Sequence, residues 1–356
     1  MKIDTMLAGL EDAPAHARRL EGLGVDGAFT FEGPHDVFTP LILAAGATTT
    51  LELATNVAIA FPRNPVQLAH QAYDLQLLSR GRFSLGLGSQ IRAQVEKRYG
   101  ASFERPVARM REFVAALRAI FATWETGAPL EFRGDFWSHT LMPPLFNPGP
   151  NPYGPPPIAI GGLGPQMVRL ASEVADGVLL MPFNTANYFA SRSVPAIDEG
   201  LARGGRDRSS LIVTGEVIVC CGRTEEEVET ARTAGQWLLS FYASTPAYRP
   251  VLECEGWGDL QPELNELSKS GRWDEMPSLI DDDILAALAA VGSPKEVASD
   301  IVDRFGGHVD RVGFYTPYVI GEETLAEVVA ALTSAAPRAR QTGSPVANAE
   351  MTVDPK

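Results

Sequence analysis

Cysteine is scarce in this 356-residue chain: Cys220 and Cys221 stand side by side in the apolar run VIVCCG, and Cys254 is the third. That set forms neither a disulfide framework nor the paired spacing of a zinc site, and it suits a reducing compartment. Basic residues are also in short supply, 30 Lys and Arg against 44 Asp and Glu, for a net charge of -14. An acidic chain argues against nucleic acid or an anionic membrane as the main partner, although it leaves room for a local basic site. No run of about 18 apolar residues occurs, and the amino terminus lacks the apolar segment of an export signal. A cytosolic protein, neither exported nor inserted in a membrane, is expected. Also missing are G-x4-G-K-[ST], H-E-x-x-H and G-x-S-x-G, while GLGSQI lacks the third glycine of a dinucleotide fingerprint. P-loop, zinc-dependent and serine-hydrolase chemistry drop out together, and no metal site is expected.

What is present is an alternation of short apolar runs with longer amphipathic stretches, the pattern of parallel strands joined by crossover helices. Strands are predicted at 3–8, 27–31, 51–59, 82–88, 157–162, 177–182, 211–220 and 311–316. Eight strands close a (β/α)8 TIM barrel, with a doubly wound open sheet as the alternative because periodicity is blind to closure. Helices are predicted at 12–23, 37–49, 64–79, 104–125, 165–175, 187–203, 224–243 and 322–335. Thr224 with Glu227 reads as a capping box, and Pro165 suits a first helical turn. Insertions break the rhythm after strands four and seven. Residues 126–156 read as a small hairpin and a Pro/Gly-rich loop; residues 244–283, rich in Trp and Tyr, read as a lid. A single barrel domain over 1–336 and a disordered tail over 337–356 complete the expected layout.

In a barrel the ligand site is built just past the strand ends. After the second strand, FEGPHDVF brings Glu32, His35 and Asp36 together, a carboxylate and an imidazole that can position a ligand or move a proton. The plainer reading is a helix cap by Asp36 and a surface histidine. After the third strand, Arg63 can meet an anion or sit as a solvated rim charge. After the fourth, Gly86 and Gly88 in RFSLGLGSQIR leave bare backbone for a close approach, by a ligand or by a tight turn. After the fifth, IGGLGPQMVRLA runs glycines into a helix start, where free amides and the helix dipole favour a phosphate.

Taken together, LATNVAIAFPRNPVQLAHQAYDLQLLSRGRFSLGLGSQ (53–90) and PPIAIGGLGPQMVRLASEVADGVLLMPF (156–183) resemble the bacterial luciferase-like superfamily of flavin and deazaflavin oxidoreductases, and in particular its F420-dependent branch. The resemblance runs along most of 1–335. It implies a (β/α)8 barrel with the cofactor ring in the mouth, against a non-proline cis peptide falling here on Asn56-Val57. It implies further that Gly161, Gly162, Leu163, Gly164 and Pro165 form the phosphate-cradling turn, that Gly88 and Ser89 border the cofactor, and that Glu32 is the acid near it. Two departures stand out. Gly33 and Pro34 separate Glu32 from His35, where relatives often have His directly after the acid. Gln90 and Ile91 replace a Glu found in the sugar-phosphate dehydrogenases of that branch, which argues against that substrate and leaves the catalytic acid unassigned.

F420 carries an anionic tail, so the rim residues Arg63, Arg92, Lys97, Arg98 and Arg105 favour it over FMN, unless they are only a solvated basic face. The expected activity is hydride transfer between coenzyme F420 and an unidentified small organic substrate, with Glu32 and His35 as candidate catalytic residues and Arg63 as a candidate cofactor contact. The alternative is an FMN-dependent monooxygenase served by a partner flavin reductase. A non-redox barrel enzyme or a ligand-binding protein are the remaining readings. The aromatics Tyr242, Tyr248, Trp257 and Trp273 hint at an apolar substrate, and the resemblance implies a homodimer formed through helices near strands two to four.

Overall fold

The computed structural model describes residues 1–7 and 9–335. Eight parallel strands, β1 (Lys2–Met6), β2 (Gly27–Thr30), β3 (Glu52–Thr55), β4 (Phe83–Gly88), β5 (Ile158–Gly162), β6 (Gly177–Leu180), β7 (Ile212–Cys221) and β8 (Arg311–Tyr315), pair in chain order. Closure is explicit: β8 pairs with β1 through Lys2↔Arg311 and with β7 through Thr214↔Arg311, while β7 pairs with β6 through Ile212↔Gly177. The open-sheet alternative is therefore excluded. Helices surround the barrel, and most outward strand residues, such as Leu53, Leu85, Ile160 and Val178, are fully buried beneath them. Burying strands on both faces is what makes them read as near-continuous apolar runs.

The third predicted strand is interrupted. Glu52–Thr55 pairs with β2, then the Asn56-Val57 peptide is cis, and Ala58–Ile59 resumes pairing with the end of β4. The predicted helix 187–203 is also broken, into Ala186–Tyr188, a π-turn over Phe189–Ser193 and Val194–Gly204. Pro195 lacks an amide proton and its ring crowds the preceding turn, so the ladder widens just before it.

The 126–156 segment follows the long helix Pro106–Thr126 and therefore enters β5 from below. It holds the expected antiparallel hairpin, Phe132–Arg133 with Ser138–His139, fastened to that helix by Glu112, whose carboxylate accepts the amides of Asp135, Phe136 and Trp137. The segment that follows β4 directly at the mouth is 89–105, containing a π-turn at Gln94–Arg98.

At the other interruption β7 does double work. Its lower half, Ile212–Gly215, closes on β6; its upper half, Ile218–Cys221, pairs instead with a short strand, Ala289–Gly292. The barrel splays there, and a second apolar core fills the gap. Phe183 and Tyr188 from beyond β6, Ile218 and Cys220 from β7, and Leu264, Met276 and Leu285 from the inserted region meet in it. Residues 244–283 are mostly helical, with Arg249–Cys254 and Leu260–Lys269 as α-helices. Two further helices, Asp282–Leu288 and Pro294–Phe305, occupy a stretch to which the sequence reading assigns no element. The expected disordered tail falls outside the described residues.

Candidate functional site

Glu32 leaves the end of β2 half-buried and is fully engaged. Its Oε2 accepts the amide of Ile59 at 2.8 Å and an Arg63 guanidinium N–H at 2.6 Å; its Oε1 accepts the Tyr99 hydroxyl at 3.1 Å. Arg63 also donates to the Ile59 carbonyl at 2.8 Å. The carboxylate thus braces the chain just beyond the cis bond, and with its partners it joins the ends of three consecutive strands, β2, β3 and β4. Burial, and then the neighbouring Glu32 charge, push the Tyr99 hydroxyl above its ordinary range.

His35 is exposed on the outer part of the same loop, whereas Asp36 takes the plainer of its two roles and caps the next helix through the amides of Phe38 and Thr39. His35 and Glu32 are thus placed differently, one at the rim and one inside it.

The bare end of β4 has a specific occupant. A Cβ on Gly86 would be driven into the Thr55 carbonyl oxygen, and one on Gly88 into the Val57 side chain. Thr55 additionally exchanges hydrogen bonds with both the amide and the carbonyl of Gly86, at 2.9 and 2.8 Å. The Cβ positions of these two glycines are therefore taken by Thr55 and Val57. Val57 is lodged across the barrel mouth, with one methyl 2.9 Å from where a Gly161 Cβ would lie. Ser89 stands half-buried just past that contact, and Gln90 adopts a left-handed conformation with φ 57°.

On the far side of Val57 the turn Gly161-Gly162-Leu163-Gly164 opens into the helix Pro165–Val174. Pro165 occupies the first turn, as expected, and no atom lies within 4 Å of a Cβ placed on Gly164. An open glycine at a helix start offers amides and the positive end of the dipole to an anion. The Leu163 carbonyl is turned away to the Tyr188 hydroxyl at 3.4 Å.

The residue-by-residue reading singled out neither Glu216 nor Tyr315, the partner of Tyr242. Glu216, midway along β7, is fully buried inside the barrel, and burial pushes its carboxyl up to about 8, against the favourable hydrogen bond from the Asn56 side chain and with the Asp4 charge adding to the rise. A lone charged residue in LIVTGEVIVC is the signal that could have found it, because a strand covered on its outer face can place a charge only inward. Tyr242 hydrogen-bonds Tyr315, and burial raises both hydroxyls. Phe31, 40% exposed, lies 5.8 Å from Tyr315, and Tyr248 packs at 6.2 Å from Tyr242. The helix after β7 thereby lends Tyr242, and the inserted region Tyr248, to one wall of the mouth, while Trp273 turns outward against Phe241.

The basic rim is largely neutralised. Arg63 is held by Glu32, Arg92 by Glu96, Arg105 by Asp135, and Arg98 donates to the Gly33 carbonyl at 2.9 Å. Among the described residues no group of three His, Cys, Asp or Glu side chains could hold a metal, and no helix is long and apolar enough to cross a membrane.

A closed barrel whose mouth holds a cis shelf between β3 and β4 and a glycine turn opposite it agrees with what sequence comparison finds: residues 2–311 match the luciferase-like monooxygenase family. The chain belongs to that family. Within it, an uncharacterized protein of Mycobacterium tuberculosis is 49% identical over 310 residues, covering 87% of this chain and 90% of the relative. A putative coenzyme F420-dependent oxidoreductase of the same organism is 30% identical over 286 residues, covering 76% of this chain and 81% of its own length. Among solved structures, the coenzyme F420-dependent tetrahydromethanopterin reductase of Methanopyrus kandleri superposes with a TM-score of 0.78 at 22% identity, covering 94% of this chain and 98% of that one. At that identity the superposition speaks for the barrel alone. Luciferase-like proteins include oxidoreductases that use F420 and monooxygenases that use flavin, so membership establishes an oxidoreductase fold family and leaves the cofactor to the site.

Proposed function

We propose that this protein transfers a hydride between coenzyme F420 and a small, largely apolar organic substrate. The observation that carries the reading is the pairing of the Asn56-Val57 shelf with the open glycine turn at 161–164 across one mouth. These residues fit a flat cofactor bearing a phosphate: Asn56 and Val57 give a face for the ring, Gly88 and Ser89 its edge, and the amides around Gly162, Leu163 and Gly164, ahead of Pro165, a cradle for the phosphate. F420, when bound, supplies the hydride chemistry; the protein supplies placement, electrostatics and exclusion of water. Glu32 and Arg63 act by holding the shelf in position, and His35 by meeting ligand groups that reach the rim. Phe31, Tyr242, Tyr248 and Tyr315 offer the substrate an aromatic wall with hydroxyls. The similarity to a putative F420-dependent oxidoreductase favours F420 over FMN.

The second reading, an FMN-dependent monooxygenase fed by a separate flavin reductase, draws on the family's description and on the neutralised rim, which offers an anionic tail little beyond Lys97 and Arg98. Titration of the purified protein with F420 and with FMN, oxidised and reduced, followed by tryptophan quenching, decides between them. Micromolar F420 binding with weak FMN binding is expected on the first reading; preference for reduced FMN with oxygen consumption overturns it, and binding of neither leaves the non-redox enzyme and the ligand-binding protein. A homodimer is proposed through the adjacent helices Thr39–Ala47 and Pro65–Leu78, whose Ile42, Leu43, Leu77 and Leu78 stand exposed. A reducing cytosol is proposed from three cysteines without a disulfide.

A further inference from the structure

The barrel is hollow at the end opposite its mouth. Gly27, Ala54, Ser84, Ala159, Gly177 and Thr214, residues from six different strands, line a cavity of about 250 Å³ there. Branched side chains ordinarily fill this part of such a barrel. The space holds on the order of eight waters at the liquid's volume per molecule. Its lower rim carries Lys2 and Ile212, the latter 49% exposed, so the cavity opens at the amino-terminal face; its upper end is formed by Asn56 and Leu179. The charged groups at the rim are satisfied among themselves. Arg311 pairs with Asp4 and Glu52, and Lys2 with Glu52, which leaves no call for a bound ion.

Asn56 joins this cavity to the interior. It lines the upper end, and its side chain hydrogen-bonds the buried carboxyl of Glu216. The stem of Glu216 adjoins the cavity wall: Glu216 Cγ, Phe29 Cε1 and Thr214 Cγ2 lie 3.3, 3.5 and 3.8 Å from the Cβ position of Gly313. On the mouth side stand Tyr315 and Tyr242, half-buried and hydrogen-bonded to each other, and the Glu216 charge acts on both hydroxyls. The charged and titratable groups facing it are Asp4 from β1, Tyr315 from β8 and Tyr242 from the helix after β7, with Arg311 below already held by two carboxylates.

We propose that the barrel floor is the proton entrance of this protein: water rising through the axial cavity exchanges protons with the Glu216 carboxyl, whose hydrogen-bond partner Asn56 forms the cavity's inner end. This rests on the redox reading above for its purpose. Each hydride delivered to a neutral double bond brings two electrons and leaves a heteroatom that takes one proton. The Glu216 O–H bond breaks toward the mouth, its electron pair stays on the carboxylate, and a proton from cavity water restores the acid. In the oxidising direction the proton leaves by the same path. A floor entrance lets this occur while cofactor and substrate close the mouth.

Infrared difference spectra between the full-length protein and E216Q, without cofactor, isolate the carboxyl band of Glu216 in mildly acidic buffer. On transfer to deuterated water the band is expected to shift within the mixing time. Filling the floor with Ala159→Leu, or separately with Ser84→Val, is expected to slow that shift at least about tenfold by removing the buried water, while Tyr242→Phe at the mouth leaves it fast. Absence of a protonated carboxyl band, exchange unchanged in both floor variants, or exchange governed by Tyr242→Phe instead overturns the proposal. Because the readout needs no cofactor, failure of F420 and FMN to bind removes the redox purpose and leaves the exchange result standing.

Discussion

Glu32 Oε2 accepts the amide of Ile59 at 2.8 Å, so the end of β2 holds the backbone just beyond the Asn56-Val57 bond. The same oxygen takes Arg63 at 2.6 Å, in a pair whose side chains are only 11% and 19% exposed. Replacing Glu32 by Gln keeps the shape and leaves Arg63 without its counter-charge, at a cost of about 2–3 kcal/mol. Cofactor binding is expected to weaken in parallel. Adding Arg63→Met to Glu32→Gln should recover part of the loss, since two residues in contact are not additive. Urea denaturation of the two single variants and the double variant checks this; strictly additive losses would show that the pair does not brace the shelf.

The glycines of the mouth are expected to separate into two kinds. Gly86→Ala sets a methyl group against the Thr55 carbonyl, and Gly88→Ala sets one against Val57. Backbone cannot yield as a side chain does, so Gly86→Ala is expected to cost roughly 3 kcal/mol or more and Gly88→Ala less. Gly164→Ala meets nothing within 4 Å and keeps an ordinary φ of -68°. Its stability should stay within about 0.5 kcal/mol of the parent, while affinity for a phosphate-bearing cofactor falls. Melting temperatures set beside cofactor titrations of the three variants test the division, and a Gly164→Ala protein that binds as the parent does would remove the phosphate cradle from 161–164.

These particular residues also show what the sequence could and could not reveal. All eight barrel strands were legible because each is a short apolar run between turn signals, and the glycine turn at 161–164 was legible because glycines running into a helix start are rare without a reason. Closure was not, since the Thr214↔Arg311 and Lys2↔Arg311 pairings join residues that periodicity never compares. The role of Gly86 and Gly88 was half legible: a close approach was evident, but that it comes from Thr55 and Val57 depends on the path of a neighbouring strand. The helix Pro294–Phe305 was missed although SPKE carries its start in full, with Ser293 and Glu296 forming a reciprocal capping box and Pro294 at the first position. At Thr224 the predicted box is only partly realised: Thr224 caps the Glu227 amide, while the Glu227 carboxylate reaches back one residue further, to Arg223.

Arg304 ties the helix that follows the inserted region to the loop beyond β6. Its side chain, 5% exposed, donates to the carbonyls of Ala286, Ala287 and Ala289 at the end of one helix, to the Asn184 carbonyl beyond β6, and to Asp300. Arg304→Met strands several buried acceptors and is expected to cost about 3 kcal/mol or more. Lysine keeps the charge but not the planar fork, so Arg304→Lys should fall between. Limited proteolysis is expected to cut within 244–283 in Arg304→Met before the barrel is attacked; cleavage elsewhere first would show that Arg304 does not anchor that region.

Glu216 makes the stability of the barrel depend on pH in a direction opposite to that of a salt-bridged acid. Its carboxyl is raised from an ordinary 4.5 to about 8 by burial, with Asp4 adding to it against the Asn56 hydrogen bond. The folded protein therefore binds this proton more tightly than the unfolded chain does. The associated stability is fully present below about pH 4.5 and is lost as pH rises through about 8, a difference on the order of 5 kcal/mol at most. Glu216→Gln, which cannot ionise, is expected to flatten the decline between those pH values while leaving the remaining pH dependence in place. Urea midpoints of the parent and variant across this window give the comparison. Parallel curves would mean that Glu216 is already ionised in the folded protein, and a buried carboxylate beside Asp4 would then require a counter-charge that the interior of this barrel, with Arg311 committed to Asp4 and Glu52, does not offer.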